Sequence, residues 1–116
     1  MQDAARDEGA ICTVRELEDK LRAGGDFLLL DVRTEEELEI ASLRAAKHVP
    51  LHELEERTPE LEPWRDKEIV VMCHVGGRSA QAQMYLSMLG FEKVRNLMGG
   101  IDSYSQEVDS SIPRYE

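Results

Sequence analysis

Two short apolar runs, Phe27 to Val32 and Ile69 to Met72, each give way almost at once to a helix-start pattern, and this pairing constrains the fold most. Ile69, Val70 and Val71 are β-branched, and runs this short suit buried strands rather than helices. Behind the first run, Thr34-Glu35-Glu36-Glu37 has the form of a capping box and opens a helix with Leu38 and either Ala41 or Ser42 inward. Behind the second, a polar loop leads to Ser79, which opens a helical pattern with Ala82, Tyr85, Leu86 and Leu89 on one face and Gly90 as its stop. Strands that end where capped helices begin are the mark of βα units, and so of an α/β fold with a mostly parallel sheet.

The remaining elements are shorter. Ala10 to Cys12 reads as a very short strand, followed by a second capping box, Thr13-Val14-Arg15-Glu16. Its helix buries Val14, Leu17 and Leu21 and ends at Gly24-Gly25. A short strand and turn lie between His48 and His52, both of which are assigned to structure or solvent. Leu51 to Arg57 is acidic and helical, and Pro59 and Pro63 are expected to break the chain beyond it. Trp64 is expected to cover the sheet edge, Val94 to Leu97 to form the last strand, and Tyr104 to sit in a final short helix.

At 116 residues the chain is expected to hold one domain, 10–116, behind a flexible polar N-terminus at 1–9. Acidic residues number 24 against 14 basic, a net charge of -10, which makes nucleic acid and anionic membranes poor partners. Any anion site must therefore be made locally. Two cysteines are too few for a disulfide framework or a four-cysteine zinc site, and no histidine stands in a metal-ligand spacing, so no metal is expected. No apolar run approaches the ~18 residues of a spanning helix and the N-terminus lacks a signal-peptide core, which reads as cytoplasmic.

The chemistry concentrates at Cys73, where the second apolar run stops. Gly76 and Gly77 lack the Cβ atoms that would keep backbone N–H groups from converging, the helix start adds partial positive charge, and Arg78 can add a full charge with two parallel donors. All three favour a thiolate, the nucleophilic form of cysteine. The catalytic candidate is Cys73, with His74, Val75, Gly76, Gly77, Arg78 and Ser79 as the substrate-binding loop. Cys12 has no such surroundings and is read as structural.

The run C-H-V-G-G-R-S, Cys73 to Ser79, resembles the active-site loop of rhodanese-type sulfurtransferases, which carry sulfur as a cysteine persulfide. Four residues separate Cys73 from Arg78, whereas cysteine phosphatases of related fold typically hold five, a wider cradle suited to phosphate. The resemblance extends from about Ile11 to Tyr115 and implies a single domain with a five-stranded, mostly parallel central sheet and helices on both faces. It places L-L-L-D-V-R-T in a family signature whose Asp and Arg, here Asp31 and Arg33, help frame the site; an Asp–Arg turn bridge is the alternative. Gly99-Gly100 is implied to pack beside the active loop, with an ordinary strand–helix turn as the alternative.

Between Ala41 and Pro50 the chain departs from the commonest family pattern: Ala41, Ser42 and Ala45 replace Gly, His and Gly, so no catalytic histidine is available there. The closing segment from Gly99 to Tyr115 is similar to rhodanese domains that work with the activating enzymes of ubiquitin-like sulfur carriers, although Tyr104 stands where many relatives have Trp. The resemblance thus implies transfer of sulfane sulfur from thiosulfate or a persulfidated protein to a thiophilic acceptor, with a sulfur carrier and its activating enzyme as candidate partners. It implies no metal or organic cofactor. The alternatives are a cysteine phosphatase or arsenate reductase on the same fold, or a non-catalytic interaction module.

Overall fold

The computed structural model describes residues 9–116, and the expectation of a flexible segment at 1–9 falls outside the described residues except for Gly9. The Gly9 carbonyl accepts a hydrogen bond from Arg95 Nε at 3.1 Å, so this residue is tied to the sheet.

Among the described residues from Ile11 onward, strands alternate with α-helices. They are β1 (Ile11–Cys12), α1 (Val14–Ala23), β2 (Phe27–Asp31), α2 (Glu35–Ile40), β3 (Lys47–His48), α3 (Leu54–Arg57), β4 (Glu68–Met72), α4 (Gly77–Met88), β5 (Lys93–Leu97) and α5 (Gly100–Glu107). Every strand pairing is parallel, in the order β1-β5-β4-β2-β3. All the strand C-termini therefore lie along one edge of the sheet, where open parallel sheets collect ligands. The two strong apolar runs are adjacent, with Phe27 to Asp31 in register against Glu68 to Met72, and β4 is central.

The sheet is covered on both faces, and β4 shows how. Ile69, Val71 and Cys73 enter one apolar cluster, together with Leu54, Leu61, Ala82 and Leu86 from α3, α4 and the turns between. Val70 and Met72 enter the other, with Val14 and Leu17 of α1 and Ile101 and Tyr104 of α5. A period of two along a strand buried on both sides requires this split. The same alternation puts the thiol of Cys73 on the α4 face.

Both capping boxes form: the Thr13 and Thr34 hydroxyls accept from the amides of Glu16 and Glu37, whose carboxylates return to the cap amides. Several expectations need correction. α4 starts at Gly77 rather than Ser79, and Leu89, expected on the buried face, is 40% exposed at its end. Val32 lies just beyond β2, though its amide continues the ladder to the Met72 carbonyl at 3.0 Å. Leu21 and Leu38 are only partly buried, and of the two candidates after α2 it is Ala41 that turns inward.

Pro59 and Pro63 do not break the chain. A 3-10 helix, Thr58–Trp64, runs through both, because Pro59 stands in its first turn, where amides have no partner to lose. Trp64 packs on the α4-face cluster instead of covering a sheet edge; the edges are β1 and β3. Among the described residues no helix is long and apolar enough to cross a membrane.

Candidate active site

Cys73 follows β4 at the C-terminal edge and is fully buried. Its Sγ accepts the Gly76 amide at 3.0 Å and lies 3.3 Å from Ser79 Oγ. Closing this three-residue turn requires φ of 121° at Gly76, a conformation that side chains rarely adopt. Gly76 is also the N-terminal boundary of α4, and no side chain caps that helix end. The first-turn amides of α4 thus remain free of a protein side-chain acceptor beside the thiol, and they form an anion-favouring helix terminus.

The loop is held from behind by the start of α5. The amides of Ile101 and Asp102 donate to the carbonyls of Cys73 and His74 at 3.0 and 3.1 Å, so the loop's carbonyls satisfy this second helix terminus. A side chain at Gly100 would collide with those two carbonyls, which is why the second glycine of the Gly99-Gly100 pair is required. This pair packs on the loop. β5 supplies a further support: Asn96 Nδ2 donates to the Gly76 carbonyl at 3.2 Å, while its Oδ1 accepts from Ser79 Oγ at 2.5 Å.

Arg78 is engaged elsewhere than expected. Its Nη1 and Nη2 donate to the two carboxylate oxygens of Glu37 at 2.6 and 2.8 Å, a bidentate ion pair that ties the loop to α2. Tyr115 Oη donates to Glu37 Oε2 at 2.7 Å and accepts from Arg33 Nη1 at 3.0 Å. The Arg78 guanidinium holds the Glu37 carboxyl well below the usual carboxylate range, outweighing its partial burial. Glu37 in turn keeps Arg78 more firmly charged, and burial pushes the Tyr115 phenol up to about 12.

Asp31 and Arg33 form the turn bridge, with both side chains buried and Arg33 Nη2 2.7 Å from Asp31 Oδ2. They make no hydrogen bond to Cys73; Arg33 frames the site indirectly, through Tyr115 and through the Ala41 carbonyl at 2.8 Å. Burial opposes the charge on Arg33, but hydrogen bonds to Asp31 and Tyr115 hold it in the charged form. The ring of His74 stacks on Tyr115 at a centroid distance of 4.1 Å, and its Nε2 is buried without a hydrogen-bond partner. Val75 is exposed at the loop tip. His48 serves structure, with Nε2 2.6 Å from the Arg33 carbonyl, and His52 is exposed.

Cys12 lies on the opposite face of the sheet, where burial pushes its thiol up to about 11. Among the described residues no three His, Cys, Asp or Glu side chains converge as metal ligands would. Glu37, Asn96 and Tyr115 went unread as site residues in the sequence. Glu37 was visible only as a cap, and neither of the other two carries a local signal.

Cys73, held at a strand end by a short glycine loop beneath an uncapped helix, defines an α/β domain built around one cysteine. The sequence matches the rhodanese-like domain over residues 13–107, and the chain belongs to that family. Among curated proteins it is 45% identical over 91 residues to a chloroplastic rhodanese-like/PpiC domain-containing protein 12 of Arabidopsis thaliana, covering 75% of this chain and 30% of that one. It is 34% identical to a sulfurtransferase of Allochromatium vinosum, covering 78% of this chain and 82% of the relative.

A Zea mays adenylyltransferase and sulfurtransferase, MOCS3-2, shares 34% identity over 93% of this chain but only 23% of its own length. The chain thus spans less than a third of the length of the Arabidopsis and Zea mays relatives. Of solved structures, a rhodanese-related protein of Thermoplasma volcanium superposes with a TM-score of 0.74 at 35% identity, covering 84% of this chain and 92% of that one.

Proposed function

We propose that the protein is a sulfurtransferase that carries sulfane sulfur as a persulfide on Cys73. The observation that carries this reading is the placement of Cys73 Sγ, accepting the Gly76 amide at 3.0 Å beside the uncapped start of α4, with four residues before Arg78. In the first half-reaction the Cys73 thiolate attacks the outer sulfur of thiosulfate. A Cys73 S–S bond forms, and sulfite leaves with the electron pair of the bond that breaks.

In the second, a thiophilic acceptor attacks the outer sulfur and Cys73 leaves as a thiolate, the logic of thiol–disulfide exchange. Free N–H groups at the start of α4 stabilise the persulfide anion. The outer sulfur stands about 2 Å beyond the buried Sγ, which brings it towards an approaching acceptor. No metal or organic cofactor enters this chemistry. The Zea mays and Allochromatium relatives, both named as sulfurtransferases, support the reading. The coupling to adenylyltransferase in the former supports a sulfur carrier and its activating enzyme as partners.

The test is intact mass after incubation with thiosulfate. A gain of one sulfur atom, reversed by cyanide and missing in Cys73→Ser, is the expected result. A wild-type protein that gains no sulfur from thiosulfate or from a persulfidated protein refutes the proposal.

A further inference from the structure

The hydrogen bonds around Ser79 contain one proton fewer than a thiolate at Cys73 requires. The Gly76 carbonyl only accepts, so the atom of Asn96 facing it at 3.2 Å is Nδ2, and Oδ1 faces Ser79. Oδ1 also only accepts, so the 2.5 Å contact uses the single hydroxyl proton of Ser79. At the 3.3 Å contact between Cys73 Sγ and Ser79 Oγ the donor is therefore the thiol S–H. Ser79 is fully buried, so water offers its hydroxyl no other partner.

We infer that Asn96 is a positioning residue that restrains Cys73 in its thiol form by holding the Ser79 hydroxyl away from it. When the thiol gives its proton to solvent base, Sγ and Asn96 Oδ1 compete for one O–H. Turning the hydroxyl to the thiolate leaves Oδ1 unpaired, and leaving it on Asn96 denies the thiolate its second donor after the Gly76 amide. Loading with sulfur relieves the conflict, because the charge moves to the outer sulfur. The empty enzyme is thus less nucleophilic than its loop alone would make it.

Other charges around Cys73 are accounted for by their partners. Arg78 on α4 is paired with Glu37 of α2. Asp31 at the end of β2 is bound by Arg33, Asp102 of α5 pairs with Arg114, and the His74 ring stacks on Tyr115. Asn96 is the neutral group among them with a bond to each of the two residues that contact Sγ.

This inference deepens the proposed function and is tested without any sulfur donor. The pH dependence of Cys73 alkylation by iodoacetamide is followed by intact mass in a Cys12→Ser background. Asn96→Ala is expected to move the midpoint of the pH–rate profile to lower pH by about one unit, because Ser79 is freed to donate to the thiolate. In Ser79→Ala the further change Asn96→Ala is expected to add nothing. A midpoint that stays or rises in Asn96→Ala, or falls equally without Ser79, overturns the inference.

A second measurement needs no Asn96 variant: the infrared S–H stretch of Cys73, identified by difference against Cys73→Ser. A hydrogen-bonded frequency that reverts to that of a free thiol in Ser79→Ala is expected, and a free frequency in the wild type overturns the inference. Failure to load sulfur from either thiosulfate or a persulfidated protein, with an intact alkylation shift, would sink the sulfurtransferase reading alone.

Discussion

Replacing Glu37 by Gln isolates the ion pair that ties the active loop to α2. Glu37 is the third residue of α2, and Gln serves that capping position as well as Glu, so the helix start is preserved. What changes is the pair with Arg78, whose two N–H groups reach both carboxylate oxygens at 2.6 and 2.8 Å. Gln keeps Oε1 for the cap amide and one Arg78 N–H, and turns an amide NH2 against the other Arg78 N–H and towards the Tyr115 oxygen, which can accept from it. Losing one charge-assisted bond in a half-buried setting costs about 2 kcal/mol. For a domain of this size that lowers Tm by roughly 6–10 °C at pH 7.

The pH dependence has a definite sign. The folded Glu37 titrates below its ordinary value of 4.5, so its contribution is present above pH 4.5 and is lost as pH falls towards the folded value. Each pH unit below 4.5 removes about 1.4 kcal/mol, so by about pH 3 the gap between Glu37→Gln and wild type should nearly close. Thermal unfolding followed by circular dichroism at both pH values measures it. An equal gap at pH 7 and pH 3 would show that shape rather than charge makes the contact, and no gap at pH 7 would refute the pairing itself.

Arg78→Ala is expected to slow thiosulfate turnover about tenfold, less than a full bidentate contact would give, because Glu37 already shares the guanidinium. Turnover of a persulfidated protein donor should fall less, and equal losses would mark Arg78 as a shaper of the loop. Gly100→Ala should destabilise the fold by about 2 kcal/mol or more, since φ is +61° and the new methyl meets the carbonyls of Cys73 and His74; an unchanged Tm would contradict this. In Cys73→Ser, alkylation of Cys12 should stay slow at neutral pH and rise only as pH approaches about 11, and rapid labelling at pH 7 would refute its burial. Cys12→Ser should still load sulfur, and loss of loading in the folded protein would contradict a purely structural role for Cys12.

Local chemistry in the sequence determined the βα alternation, both capping boxes, the two central strands and the glycine loop after Cys73, because each signal is complete within a few residues. The same locality explains the errors at element ends: a helix start at Gly77 is set by the turn that Gly76 makes around Sγ, not by Ser79. Only the tertiary structure decided what Arg78 does with its charge. Its partner Glu37 lies 41 residues before it, and Tyr115, which also binds Glu37, lies 78 residues after Glu37.

Both belong to segments whose local patterns are already explained, one as a cap and the other as a closing tail. Asn96 is equally silent in the sequence, since a polar residue in β5 gains its meaning only when the parallel register sets that strand beside β4. Burial of Cys73 has the same origin. Its residue type made it a candidate nucleophile, but the period-two split of β4 chose the face on which its thiol meets Ser79 and the start of α4.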